Sequence, residues 1–169
     1  MRFENLRQEL ANGPLVINGL LAGVTPAEAR FKPDPDTWSI VEVLGHLYDE
    51  EREDFRQRLD SLLHRPADPW PKINPDAWVT ERAYNERAYA TMLADWLTER
   101  ARSLDWLDGL VAPVWDQEVI SPLGRRRPGD MLAAWVAHDN LHQRQLVELR
   151  RQRLLNLTAP YQVQYAGDW

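Results

Sequence analysis

Apolar residues recur every three to four positions in four separate stretches of the chain, the spacing of amphipathic helices. The first stretch runs from about Arg2 to Ala22, with Phe3, Leu6, Leu10, Ile17 and Leu21 on one side. Asn12-Gly13-Pro14 falls inside it and predicts a kink or brief break, because proline removes a helical donor. The second opens at Ser39, where Ser39 and Glu42 form a capping-box pattern. It continues to about Leu63, its apolar face built by Ile40, Val43, Leu44, Leu47 and Phe55. Pro33 and Pro35 keep the chain extended up to that cap. The third runs from about Thr80 to Leu107, with Tyr89, Leu93, Trp96, Leu104 and Leu107 as its stripe. The fourth starts with Pro128 in its first turn, where a missing N–H is harmless, and ends near Arg153.

The connections differ in kind. Pro66, Pro69, Pro71 and Pro75, interleaved with Trp70 and Trp78, forbid a helix in that linker, and the two indoles predict that it is packed down. Between Gly109 and Arg127 the chain is irregular, with a short strand expected at Val114–Ile120 and a turn at Ser121-Pro122-Leu123-Gly124. Four long helices with these connections predict an all-α four-helix bundle. We expect one domain over residues 1–157 and a tail over 158–169.

Composition narrows the function classes. The 26 acidic and 20 basic side chains give a net charge of -6, which argues against general binding to nucleic acid. There is no cysteine, so thiol chemistry would require a thiol brought by a substrate. An acidic residue at Glu4 and the lack of an apolar segment after it argue against a signal peptide. No run of about 18 apolar residues exists to span a bilayer, and the expected location is the cytoplasm.

The four histidines are the most informative residues. His138 and His142 lie one helical turn apart. At about 100° per residue, Met131, Trp135, His142, Leu146 and Leu149 fall within roughly 80° of His138, on the side the helix must bury. An unpartnered polar group there costs on the order of 1–3 kcal/mol. Two readings satisfy them: hydrogen bonds to neighbours or water, or chelation of one metal ion, which this spacing allows. His46 lies at the margin of its apolar face, beside a polar line of Glu50, Glu53 and Gln57. If helices two and four touch, His46 points at the His138/His142 pair, and three imidazoles would leave coordination positions open for chemistry. His64, at a helix end before Pro66, reads as a capping residue.

Two segments resemble the DinB-like family, the damage-inducible and bacillithiol-transferase-like superfamily. One is Thr37-Trp38-Ser39-Ile40-Val41-Glu42-Val43-Leu44-Gly45-His46-Leu47, followed by Asp49 and Glu50. The other is Ala137-His138-Asp139-Asn140-Leu141-His142-Gln143-Arg144-Gln145-Leu146, with Gly124-Arg125-Arg126-Arg127-Pro128-Gly129-Asp130 leading into it. The resemblance implies an up-down-down-up bundle, commonly a homodimer, with a divalent metal on His46, His138 and His142. Members with known activity conjugate or isomerise low-molecular-weight thiols. Zinc or nickel suits three imidazoles, as do iron, cobalt or manganese.

Three functional expectations follow. In the first, the protein is an enzyme in which the metal activates a small thiol or water and Glu50 is the general base or a carboxylate that orients an imidazole. Asp139 is then either a partner to a histidine or a solvated residue. Trp96 and Trp135 either wall the pocket or belong to the core, and Arg125, Arg126 and Arg127 either attract an anion or form a solvated loop. In the second, the protein is a non-catalytic metal- or ligand-binding stress-response module. The third is a metal-free bundle with hydrogen-bonded histidines.

Overall fold

The computed structural model describes residues 2–169, so Met1 of the expected domain lies outside it. The elements in order are α1 (Arg2–Leu20), α2 (Pro26–Ala29), α3 (Ile40–Glu50), α4 (Arg56–His64), α5 (Pro75–Glu81), α6 (Tyr89–Asp108), β1 (Val119–Ser121), β2 (Gly124–Arg126) and α7 (Pro128–Thr158). α3 and α4 form one long helix joined by a π turn over Glu51–Phe55. α1 packs chiefly on α6 and α7, and α3–α4 on α6 and α7, so four long helices close a bundle.

The capping box at Ser39 forms: its hydroxyl accepts from the Glu42 N–H while the Glu42 carboxylate accepts from the Ser39 N–H at 2.7 Å. The π turn has a reason in the apolar pattern. Leu47 and Phe55 are both buried, yet eight residues overshoot two α turns by roughly 80°. A turn closed by i→i+5 bonds absorbs the surplus residue and keeps both halves facing the core.

Several expected boundaries are corrected. No break occurs at Asn12-Gly13-Pro14; α1 runs through Pro14. The carbonyl that Pro14 leaves without a helical donor is that of Leu10, and it accepts from Arg100 Nη1 at 3.0 Å. A Cβ on Gly13 would lie 2.8 Å from Asp139 Oδ2 and 3.2 Å from Arg100 Nη1. The Gly-Pro pair therefore docks a buried side chain and does not end the helix. The prolines of the linker do not exclude a helix either: Pro75 starts α5 under an Asn74 cap, since proline fits a first turn. The third long helix begins at Tyr89, not Thr80, because Ala83 is left-handed (φ 48) and a short 3-10 turn intervenes. The expected strand at Val114–Ile120 shrinks to β1, which pairs with β2 as a small antiparallel hairpin. α7 continues past Arg153 to Thr158, and the residues after it fold back, Trp169 Nε1 donating to Glu148 at 2.6 Å.

The core is divided. One apolar cluster contains Ile17, Leu21, Val41, Leu44, Leu47, Trp96 and Leu146. A second contains Leu10, Phe55, Leu59, Leu107, Leu132 and Trp135. On each long helix the residues between the two are polar or lack a side chain: Gly13, Glu51, Arg100, and the His138–His142 turn with Asp139. A third small cluster, Trp78, Val79 and Tyr84, covers the outer side of α3.

Tyr84 explains Gly45. A Cβ there would come within 2.5–2.9 Å of three Tyr84 ring atoms, and the ring is buried with its hydroxyl on Asp49 at 2.5 Å. Gly45→Ala is expected to destabilise by about 1–3 kcal/mol, although alanine is the better helix former by ~1 kcal/mol. A lowered urea midpoint checks this; an unchanged or raised midpoint contradicts the packing.

Candidate functional site

The polar layer between the two apolar clusters holds three histidines from two helices. His46 stands on the second turn of α3, and His138 and His142 on successive turns of α7. His46 Nε2 lies 3.2 Å from His138 Nε2, which lies 3.1 Å from His142 Nε2. One ring nitrogen from each of the three lies within 4.8 Å of the others. The expected adjacency of helices two and four therefore holds, and the three residues named from the sequence are brought together.

Their depths differ from expectation. His46, placed at the margin of its face, is buried at 5% exposure, because α5 and Tyr84 cover α3 from the outside. His138 and His142, placed at the centre of theirs, are half-buried. The deepest residue on that turn of α7 is Asp139. Buried Leu132, Trp135, Asp139 and Leu146 show that α7 is rolled so that Asp139 enters the core, while His142 borders a cleft.

Environment sets the protonation of the site. Burial, then the neighbouring His142, pulls the His46 imidazole down to about 3. Burial, then His142, His46 and Arg100, pulls His138 to about 2. His142 is lowered by burial against the opposing pull of Gln145. All three are neutral at pH 7, the form with a lone pair to give. Gln145 Oε1 lies 2.8 Å from His142 Nδ1. An amide oxygen accepts only, so the proton sits on Nδ1 and the lone pair on Nε2 faces the cluster.

Rings enclose the cluster. Trp38 stacks on His142 (centroids 6.3 Å apart, 3° between planes) and leans on His46 at 4.8 Å. Phe55 meets His138 at 4.9 Å. These two are the walls; Trp96 and Trp135, both at most 1% exposed, are core residues. Trp38 was within reach of sequence reasoning, since it precedes the Ser39 cap by one residue. Phe55, by its periodicity, reads as core alone.

Glu50 is buried, with Oε2 3.9 Å from His138 Nε2 and Oε1 without a partner. Burial, then the adjacent Asp54, pushes its carboxyl up to about 8. Glu53 and Gln57, expected on the same line, turn elsewhere: Glu53 pairs with Arg82 at 2.8 and 2.9 Å, and Gln57 is exposed. The π turn redirects that stripe and buries Glu51 and Asp54 instead.

Asp139 is not solvated. Arg100 grips it at 2.5 and 2.8 Å, and grips Glu51 at 2.8 and 2.7 Å, while Trp135 Nε1 donates to Glu51 at 3.2 Å. With Leu10 O, all five guanidinium N–H groups have acceptors. This cluster was missed in the sequence. Its one readable trace is the pair Gly13-Pro14. Arg125, Arg126 and Arg127 are exposed on and just after the hairpin, and Arg127 is spent on capping α7 with Asp130. His64 ends α4, 3.8 Å from Asp60, as a helix-end residue.

Residues 13–146 match the DinB superfamily. That span holds both histidine motifs and most of the chain. The chain belongs to the DinB superfamily. Among solved structures it is similar to YfiT from Bacillus subtilis, described as a probable metal-dependent hydrolase with an unusual four-helix bundle topology. The TM-score is 0.76 at 17% identity, over 89% of this chain and 87% of that one. At that identity the likeness concerns the fold. No curated protein matches the sequence.

Proposed function

We propose that this DinB-superfamily protein is a metal-dependent enzyme acting on a small molecule, with one divalent ion on His46, His138 and His142. The observation that carries the reading is the convergence of three neutral imidazoles through Nε2 at 3.1 and 3.2 Å. Donors held about 2.0–2.1 Å from a zinc ion in tetrahedral array stand roughly 3.3 Å apart, so the residues fit such an ion. Lone pairs crowded together in a half-buried layer repel one another unless a cation lies between them. The family assignment supports the same reading, as does the description of YfiT as a probable metal-dependent hydrolase.

A divalent ion supplies a Lewis acid that brings a water or a small thiol to its anionic form near neutral pH. The chain's own residues do the rest. Gln145 fixes the His142 ring so that Nε2 faces inward. Trp38 and Phe55 limit water around the imidazoles. Glu50, whose Oε2 lies 3.9 Å from His138 Nε2, would accept the proton released by water or thiol once the ion's charge favours its carboxylate form. The chain has no thiol, so a sulfur nucleophile is a second substrate.

Purified protein is expected to hold one zinc or nickel ion per chain by elemental analysis, and His138→Ala to hold none. Glu50→Gln should retain the ion but lose at least about tenfold in turnover of an ester, or of a small thiol with an electrophile, given the usual 10²–10⁴-fold worth of a general base. Full retention of metal in His138→Ala overturns the site. Metal without turnover of either substrate type assigns the protein to binding and not catalysis.

A further inference from the structure

The cleft beside His142 carries a charge pattern that selects its ligand. It has a volume of about 810 Å³ and runs along α7 from His142 through Gln145 to Glu148, facing the loop that carries Asp34, Asp36 and Trp38. That is ample for a small molecule. Among the described residues, no lysine or arginine lines it. Its inner end is the His142 imidazole, and beside it lies the Trp38 indole, half-buried and parallel to the His142 ring.

Among the described residues, two carboxylates at the mouth have no cationic partner. Asp34 Oδ1 accepts the Asp36 backbone N–H at 2.9 Å, and among the described residues neither Asp34 nor Asp36 forms an ion pair. Both are exposed. Lys32, the nearest lysine in sequence, is engaged 3.2 Å from Glu42. Glu148 is different, because Trp169 Nε1 and Arg151 already hold it at 2.6 and 3.4 Å. The free negative charge of the mouth therefore comes from Asp34 and Asp36. At the mouth, away from the histidines that would hold the ion, the unpaired charge has one sign and acts on the outer end of the entering molecule. An indole face adds attraction for a cation and none for an anion.

We propose that the substrate of this site is a bipolar small molecule, with an ammonium or similar cation held by Asp34, Asp36 and the Trp38 face and a reactive thiol, hydroxyl or acyl group directed at the histidines. This deepens the metal-enzyme reading and rests on it for the reactive end. An anionic group at the outer end of the substrate is disfavoured by the same carboxylates. The arginines that would have attracted them sit on the hairpin and not in the cleft.

The test uses three thiols of similar size: cysteamine (cationic), 2-mercaptoethanol (neutral) and mercaptoacetate (anionic). Each is titrated against the full-length protein loaded with cobalt(II), and binding is followed by the visible absorption of the metal. At low salt cysteamine is expected to bind at least tenfold more tightly than mercaptoacetate. In Asp34→Asn/Asp36→Asn the ratio should fall at least fivefold; asparagine preserves the acceptor for the Asp36 N–H, so the loop keeps its shape. Using the same probes on both proteins cancels their differing thiol acidities. A ratio equal in wild type and variant overturns the proposal.

Absence of a cobalt spectrum in wild type, unchanged by His142→Ala, would instead sink the metal reading. The cleft's charge is then read without metal, from the part of the tryptophan emission that Trp38→Phe removes. Stronger quenching of that part by caesium than by iodide supports the cation preference, and stronger quenching by iodide overturns it.

Discussion

Replacing Arg100 with alanine is expected to destabilise the protein by about 3–5 kcal/mol, the usual cost of stripping one partner from a buried ion pair. That is a large share of the roughly 5–15 kcal/mol by which domains are stable. Arg100 is 1% exposed and its five N–H groups tie together four helical segments: α1 through Leu10 O, the π turn through Glu51, α7 through Asp139, and its own α6. Without it, two carboxylates and the Leu10 carbonyl face each other in the core, the last with no donor because residue 14 is proline. Lysine should restore little, since a point charge cannot replace a fork that meets two carboxylates side by side. Exchanging Arg100, Glu51 and Asp139 together for apolar residues of similar volume should recover much of the loss, as the cost lies in the unpaired charge. Urea unfolding of the three variants checks this order. A stable Arg100→Ala with an ordinary midpoint would mean that the layer is hydrated.

The second large effect links pH and metal. Without metal, the melting temperature is expected to peak near pH 6.5 and fall on both sides. His46 and His138 titrate at about 3 and about 2 in the folded chain, against roughly 6.5 unfolded. Their contribution is complete above about pH 6.5 and is lost on acidification, at about 1.4 kcal/mol per pH unit for each. His142, also lowered, acts in the same direction. Glu50 has the opposite sign. Its folded value is about 8 against roughly 4.3 unfolded, so its contribution is complete below about pH 4.3 and is lost as pH rises to 8. Burial raises Asp54 too, which acts with Glu50. Between these limits three histidines outweigh two carboxyls; above about pH 6.5 only the carboxyls remain. Zinc or nickel at about a thousand times its dissociation constant should add about 4 kcal/mol. It should also flatten the alkaline limb, because a nearby dication favours the Glu50 carboxylate. Melting curves from pH 4 to 9, in EDTA and in metal, read both effects. A metal-free profile that keeps rising to pH 9 contradicts the assignment of Glu50.

The periodicity of Phe3–Leu21, Ile40–Phe55, Tyr89–Leu107 and Met131–Leu149 was enough to place four long helices and to give a bundle, because an amphipathic stripe can be buried in few ways. The Ser39–Glu42 box and Pro128 set helix starts locally, from side chains one turn away. The i, i+4 spacing of His138 and His142 likewise put two imidazoles side by side on one helix. These features depend on residues near in sequence, and so the sequence carries them.

Tertiary structure decided the rest. Only the approach of α3 to α7 brings His46 Nε2 to 3.2 Å from His138 Nε2, and only the cover of Trp78, Val79 and Tyr84 buries it. The roll of α7 that sends Asp139 inward follows from an arginine 39 residues away. Pro14 reads alone as a helix breaker; it becomes a helix interior residue once Arg100 takes the carbonyl its ring leaves free. Local sequence thus determined which segments are helical and which face of each is apolar. The depth of each polar group, its charge state and its partners were decided across helices, because burial and pairing are properties of residues far apart in the chain.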